Sequence, residues 1–123
     1  MSAQPIAVVT GGAGFIGSHM ADLLLERGFR VHAIDNLKCG KVANLAHHKS
    51  NSRLVFEEKD IRTLQSNDPL FADASYVFHF AGIGDIVPSI ELPLDYFSVN
   101  MMGTAHVLEA ARQPKLKTSR KID

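Results

Sequence analysis

The chain has 123 residues, enough for one domain with a modest core. Hydrophobic residues make up 46% and charged residues 21%, the balance of an ordinary soluble globular domain. Thirteen basic and thirteen acidic side chains cancel, which leaves no excess to suggest nucleic acid, and no run approaches the roughly 20 apolar residues of a membrane span.

The opening Met1-Ser2-Ala3-Gln4-Pro5 lacks the basic and apolar segments of a secretory signal. Cys39 is alone, so no internal disulfide can form, and a cytoplasmic location is expected. Cys39 reads as an ordinary thiol, with a reactive one as the alternative.

Ile6 to Thr10 is short, rich in β-branched residues and ended by glycine, the pattern of a buried strand. Gly11, Gly14 and Gly17 follow at intervals of three, and then an amphipathic run from Phe15 to Arg27 with Ile16, Met20, Leu23 and Leu24 at helical spacing. Asp22, Glu26 and Arg27 are expected outside, and Gly28 ends the helix. Gly11 allows a turn directly off the strand. Gly14 has no side chain to hold a ligand away, and Gly17 lets the helix lie close against the strand. Unpaired N–H groups and the positive dipole end at the helix start suit a pyrophosphate.

Arg30 to Ile34 is a second strand closing on Asp35. A carboxylate there can accept hydrogen bonds from both hydroxyls of an adenosine ribose. A 2′-phosphate in its place would meet repulsion of about 4 kcal/mol at ~4 Å and an effective dielectric near 20. NAD is therefore favoured over NADP, with nearby Lys38 softening the preference. The plainer alternative is that Asp35 only caps a turn with Asn36.

Lys41 to Lys49 can form a short helix through Val42, Leu45 and Ala46. His47 and His48 are adjacent, so on a helix they are expected to diverge and not to grip one metal ion; no metal site is expected. Leu54 to Phe56 is a third strand with Asp60 and Ile61 just beyond, and Pro69 to Phe71 a short turn. Ser75 to Phe80 is the fourth strand, ending at the small residues Ala81 and Gly82. His79 within it is either an acid–base group or, more commonly for an apolar strand, a core histidine with its hydrogen bonds satisfied. Residues 83–93 read as a loop, and Asp85 and Glu91 could be taken for paired carboxylates, although nothing fixes their separation. A long helix is expected from Leu94 to Arg112 with Phe97, Met101, Thr104, Ala105, Leu108 and Ala111 on its buried side. Asn100 falls on that side, and a buried amide needs partners for both ends, which suggests that it braces the loop after the fourth strand.

Thr10-Gly-Gly-Ala-Gly-Phe-Ile-Gly-Ser-His19, Asp35-Asn36-Leu37 with Gly40, Asp60-Ile61-Arg62 and His79-Phe80-Ala81-Gly82 stand in this order. So do Pro88-Ser89-Ile90-Glu91-x-Pro93, Asn100-x-x-Gly103-Thr104 and Leu108 to Arg112. Together they resemble the extended short-chain dehydrogenase/reductase family, in particular its NAD-dependent nucleotide-sugar epimerases and dehydratases. The resemblance implies an α/β Rossmann-type doubly wound parallel sheet of order 3-2-1-4, ending after about four strands. It implies that Gly11, Gly14, Phe15, Ile16 and Gly17 hold the pyrophosphate, Asp35 and Asn36 the ribose, and Asp60 with Ile61 the adenine. Phe80, Ala81 and Gly82 would lie beneath the nicotinamide half, Asn100 would support the backbone there, and residues 85–89 would begin the contact with a nucleotide sugar.

In that family a tyrosine takes the substrate proton, with a lysine four residues later that keeps it ionisable. Here Phe80 stands four after Tyr76 and Asn100 four after Tyr96, so no catalytic residue is assigned. Residues 1–112 are expected to form an NAD-binding half-domain, residues 113–123 a mobile basic tail, and the whole the first part of a larger enzyme. A non-catalytic nucleotide-binding or interaction module is the rival reading. Self-association, or a partner chain, is expected through the open edge of the fourth strand or the apolar face of the last helix.

Overall fold

The computed structural model describes residues 4–83 and 86–113. Four parallel strands, β1 (Ile6–Thr10), β2 (Arg30–Asp35), β3 (Leu54–Glu58) and β4 (Ala74–His79), form one sheet in the order β3-β2-β1-β4. This is the expected strand order, and the boundaries lie within two residues of the expected ones. Asp85, one of the two carboxylates considered as a pair, and the tail from residue 114 lie outside the described residues.

Alternation along β1 and β2 builds a core on each face of the sheet, as a parallel sheet covered on both sides requires. Ala7, Val9, Val31 and Ala33 pack with Ala21, Leu24 and Leu25 of α1 (Phe15–Glu26) and with Leu45. Val8 and Ile34 face the other way, against Phe71, Leu64, Ile61 and Val107. The crossover from β1 to β2 runs through α1, which ends at Gly28 with φ +88°.

Two helices present different faces from those expected. On α1 the inward residues are Gly17, Ser18, Ala21, Leu24 and Leu25, whereas Ile16 and Leu23 are exposed. The inward path is lined by small residues because the helix lies close over the loop that starts it. After β4, α2 (Ile86–Glu91) occupies part of the stretch expected as a loop. The expected single helix is α3 (Pro93–Phe97), one π turn over Ser98–Met102 and α4 (Gly103–Ala111). Its buried residues are Val99, Gly103, Val107 and Ala110, while Phe97, Met101, Ala105 and Leu108 face outward and Asn100 is exposed. The segment is apolar on two sides, and the small Gly103 and Ala110 allow the closer approach. A Cβ on Gly103 would collide with the Ile61 side chain.

Among the described residues, no helix is long and apolar enough to cross a membrane.

Candidate functional site

The C-terminal ends of β1, β2 and β4 open into one cleft of about 190 Å³, the position where open α/β sheets bind ligands. Ten of the sequence-derived candidates line it: Gly11, Gly14, Phe15, Asp35, Asn36, Asp60, Ile61, Phe80, Ala81 and Gly82. Ile16 and Gly17 are in the first turn of α1, next to the lining residue Phe15, and Asn100 stands behind Gly82.

The loop after β1 is shaped by what a side chain would hit. Gly11 has φ +66°, and a Cβ there would meet Ala81 N at 2.8 Å and the Phe80 carbonyl carbon at 2.9 Å. The loop can therefore lie against the end of β4 only with glycine at this position. A Cβ on Gly17 would collide with the Gly11 carbonyl, so the close approach made by Gly17 is to the loop itself rather than to the strand. Gly14 caps α1 in an extended conformation with no side chain bonded to the helix start. The amides of Phe15, Ile16 and Gly17 thus lie in a first turn that has no intrahelical acceptor for them. Phe15 is exposed, its ring 4.7 Å from that of His19.

Asp35 is buried at the tip of β2. Its Oδ2 accepts from the Ala13 N–H at 3.0 Å, and its Oδ1 accepts from the Leu37 N–H at 2.8 Å. The turn-capping alternative is therefore real, but it does not exhaust the carboxylate, because each oxygen keeps a second lone pair. A Cβ on Gly40 would meet Asp35 Oδ2 at 2.6 Å, so this glycine lets the next segment close over the acid. Leu37 takes φ +63°, a conformation in which a branched side chain is strained, and Asn36 accepts from the Lys38 N–H at 3.0 Å. Two consecutive side-chain turns thus set the path beside the ribose candidate.

Asp60 begins a 3₁₀ turn and accepts from the Arg62 backbone N–H at 2.9 Å, Nε at 3.0 Å and Nη2 at 2.6 Å. The Arg62 guanidinium holds the Asp60 carboxyl below its ordinary value and also reaches the Ser98 hydroxyl at 3.1 Å. Lys59 borders the cleft from the same corner, its ammonium on buried Asp68 at 2.7 Å, a bond that raises the lysine pKa.

On the β4 side a directional relay joins the sheet to the helices. Thr10 and His79 are neighbours in the β1–β4 register. Thr10 Oγ1 accepts from the N–H groups of Phe80 at 3.0 Å and Ala81 at 3.1 Å, and its own proton goes to His79 Nδ1 at 2.6 Å. His79 Nε2 then donates to Thr104 Oγ1 at 2.9 Å, because the Thr104 hydroxyl is itself donated to the Asn100 carbonyl at 2.6 Å. Every polar atom along this path has one defined role only when His79 is neutral, and burial lowers its pKa accordingly. His79 is thus the satisfied core histidine rather than the acid–base group. The Asn100 side chain accepts from the Ile83 N–H at 2.9 Å and donates to the Ile83 carbonyl at 3.1 Å. It braces the loop after β4 as expected, but from an exposed position.

Lys38, which the sequence placed near the ribose site, borders the cleft, but sequence patterns did not reveal that Cys39, Lys59, Ile83 and Val99 do so too. The Asx pattern at 35–38 could have signalled the turn that carries Lys38 and Cys39. One expectation is overturned outside the cleft. His47 and His48 converge: both Nε2–H groups reach Asp22 Oδ1, at 2.7 and 2.5 Å. The backbone sends adjacent residues in different directions, but the side-chain torsions of an imidazole decide where its far nitrogen lands, and Asp22 of α1 gathers both.

The GDP-mannose 4,6 dehydratase family profile matches residues 8–122. UDP-glucose 4-epimerase 1 of Oryza sativa subsp. japonica is 40% identical over 110 residues, which cover 83% of this chain and 31% of that protein. A UDP-N-acetylglucosamine 4-epimerase from Methanobrevibacter ruminantium M1, in complex with UDP-N-acetylmuramic acid, superposes with a TM-score of 0.79 at 33% identity. The match covers 89% of this chain and 34% of that one. DesIV, a dTDP-glucose 4,6-dehydratase from Streptomyces venezuelae with NAD and TYD bound, gives a TM-score of 0.79 at 33% identity, covering 86% and 35%. The chain therefore spans about a third of the length of the relatives it matches.

Proposed function

The chain belongs to the GDP-mannose 4,6 dehydratase family, and from that premise we propose that residues 1–112 are the NAD-binding portion of a nucleotide-sugar epimerase or dehydratase. The observation that carries the reading is the juxtaposition of an uncapped helix start with a buried carboxylate fastened to the same loop at 3.0 Å. The cradle fits the coenzyme: a Cβ at Gly11 or Gly17 would meet backbone, and Gly14 presents no side chain toward the diphosphate. Bound NAD would supply the acceptor for a hydride from a sugar carbon.

The chain's own residues bind and orient. The first-turn amides of Phe15, Ile16 and Gly17, with Gly11 and Gly14, hold the diphosphate. Asp35, fixed by Ala13 and Leu37, uses its remaining lone pairs on the ribose hydroxyls, and Asn36 flanks it. Asp60, with its carboxylate steadied by Arg62, and Ile61 edge the adenine. Phe80, Ala81 and Gly82 form the floor under the nicotinamide half, positioned by Thr10 and by Asn100 through Ile83. The nucleotide sugar belongs to this reading as the substrate of the whole enzyme, met from residues 85–89 onward. Because neither tyrosine is followed four residues later by lysine, the chain by itself moves no substrate proton.

A second reading, a binding module that pairs with another chain, is favoured by the outward apolar side chains Ile90, Leu94, Phe97, Met101 and Leu108, each more than half exposed. Calorimetric titration separates the two. NAD binding with NADP at least tenfold weaker, and sugar turnover at background, supports the cofactor reading. No NAD binding, alongside concentration-dependent dimerisation in light scattering, favours the module, and turnover above background refutes the missing proton transfer.

A further inference from the structure

Away from the cleft, Asp22 on α1 meets His47 and His48 at the end of the 3₁₀ turn Val42–His48. The two imidazoles aim their Nε2 atoms at one carboxylate oxygen, at 2.7 and 2.5 Å, with ring centroids 4.0 Å apart. One ligand atom from each of the three residues lies within 4.8 Å of the others. Two donors on a single acceptor atom exceed what is needed to pin one turn to a helix. Two nitrogens and an oxygen converging on one point also make the donor set of a borderline transition cation, whereas calcium and magnesium call for oxygen ligands.

We propose that Asp22, His47 and His48 form a surface site for a zinc-class divalent cation, with water completing its shell. Tetrahedral coordination with metal–ligand distances of about 2.0–2.1 Å sets neighbouring ligand atoms roughly 3.4 Å apart. The present separations are about 0.7 and 0.9 Å shorter, which side-chain torsions absorb without moving the backbone. The cation takes the place of the two Nε2 protons that now bridge to Asp22: a neutral imidazole moves its proton to Nδ1 and a protonated one releases its Nε2 proton to water, so both coordinate in neutral form and acid weakens binding. Water has access, because the His47 and Asp22 side chains are 54% and 40% exposed, while the less exposed His48 supplies a fixed anchor.

The site has a mechanical consequence. Lys41 N–H and the Asn44 side chain both donate to the Ala13 carbonyl, at 2.9 and 2.8 Å. The 3₁₀ segment is thus tied to the glycine loop at one end and to α1 at the other, and a cation at the second tie fastens the segment across the helix. This inference is independent of the cofactor assignment.

The test is a calorimetric titration of the tag-free chain with ZnCl2 near neutral pH, without chelating buffer. One saturable equivalent is expected, weakened at least tenfold in Asp22→Asn and in His47→Ala, and unchanged in His106→Gln and Cys39→Ser. Both weakening substitutions are at partly exposed positions, and circular dichroism checks that the variants fold. In NMR, the ring protons of His47 and His48 should shift with zinc while those of His32 and His79 stay in place. Absence of saturable binding overturns the proposal. So does equal affinity in Asp22→Asn, or a loss of binding in Cys39→Ser.

Discussion

Replacing Thr10 by valine keeps the shape of a fully buried side chain and deletes one hydroxyl. That hydroxyl satisfies the N–H groups of Phe80 and Ala81 and the Nδ1 of His79. Phe80 N–H retains the Thr10 carbonyl at 3.1 Å, which leaves Ala81 N–H and His79 Nδ1 without their partner. At about 1–3 kcal/mol per orphaned buried group, the range is about 2–6 kcal/mol. Ala81 and His79 are only partly buried, so the lower half, about 2–4 kcal/mol, is expected. Thr10→Ser keeps all three bonds and loses one methyl, at a cost of about 1 kcal/mol. Urea unfolding followed by circular dichroism reads the difference as a shift of midpoint at constant slope. If the valine variant matches the serine variant within about 0.5 kcal/mol, the relay adds nothing to stability and the reasoning fails.

Asp35→Asn should weaken NAD binding by about 10- to 100-fold, the worth of one charge-assisted bond, and should narrow the preference over NADP in calorimetric titration. Gly17→Ala forces a Cβ into the Gly11 backbone and should destabilise the chain by about 1–3 kcal/mol and remove NAD binding. Gly28→Ala, where nothing lies within 4 Å but φ is +88°, should cost about 1–2 kcal/mol and leave NAD affinity unchanged. Burial lowers the pKa of His79, so its contribution to stability is full above the ordinary histidine value of about 6.5 and is lost as pH falls from there through its lower folded value. Thermal melts from pH 7.5 to 5.5 should therefore show an acid-induced drop that is smaller in His79→Asn.

The strands were legible because β1, β2 and β4 are short apolar runs stopped by glycine or acid, and the glycine positions carried the turn. What escaped the sequence depended on distant partners. The last helical segment is apolar on two faces, and periodicity alone does not say that Val99, Val107 and Ala110 are buried rather than Phe97, Met101 and Leu108. The π turn at Ser98–Met102 leaves no local signature, and the Asp35-Asn36 pattern signals a turn without saying that Leu37 is its left-handed residue. Asn100 was legible as a brace because an amide needs two partners, although its exposure was not. The meeting of His47 and His48 at Asp22 spans 25 and 26 residues, beyond any local pattern.

The most direct test of the cradle is an amide NMR titration of the chain with NAD. The backbone signals of Phe15, Ile16 and Gly17 should shift in saturable fashion together with those of Ala13 and Leu37, which hold Asp35. Saturable shifts confined to other residues, with these five unmoved, would contradict the account.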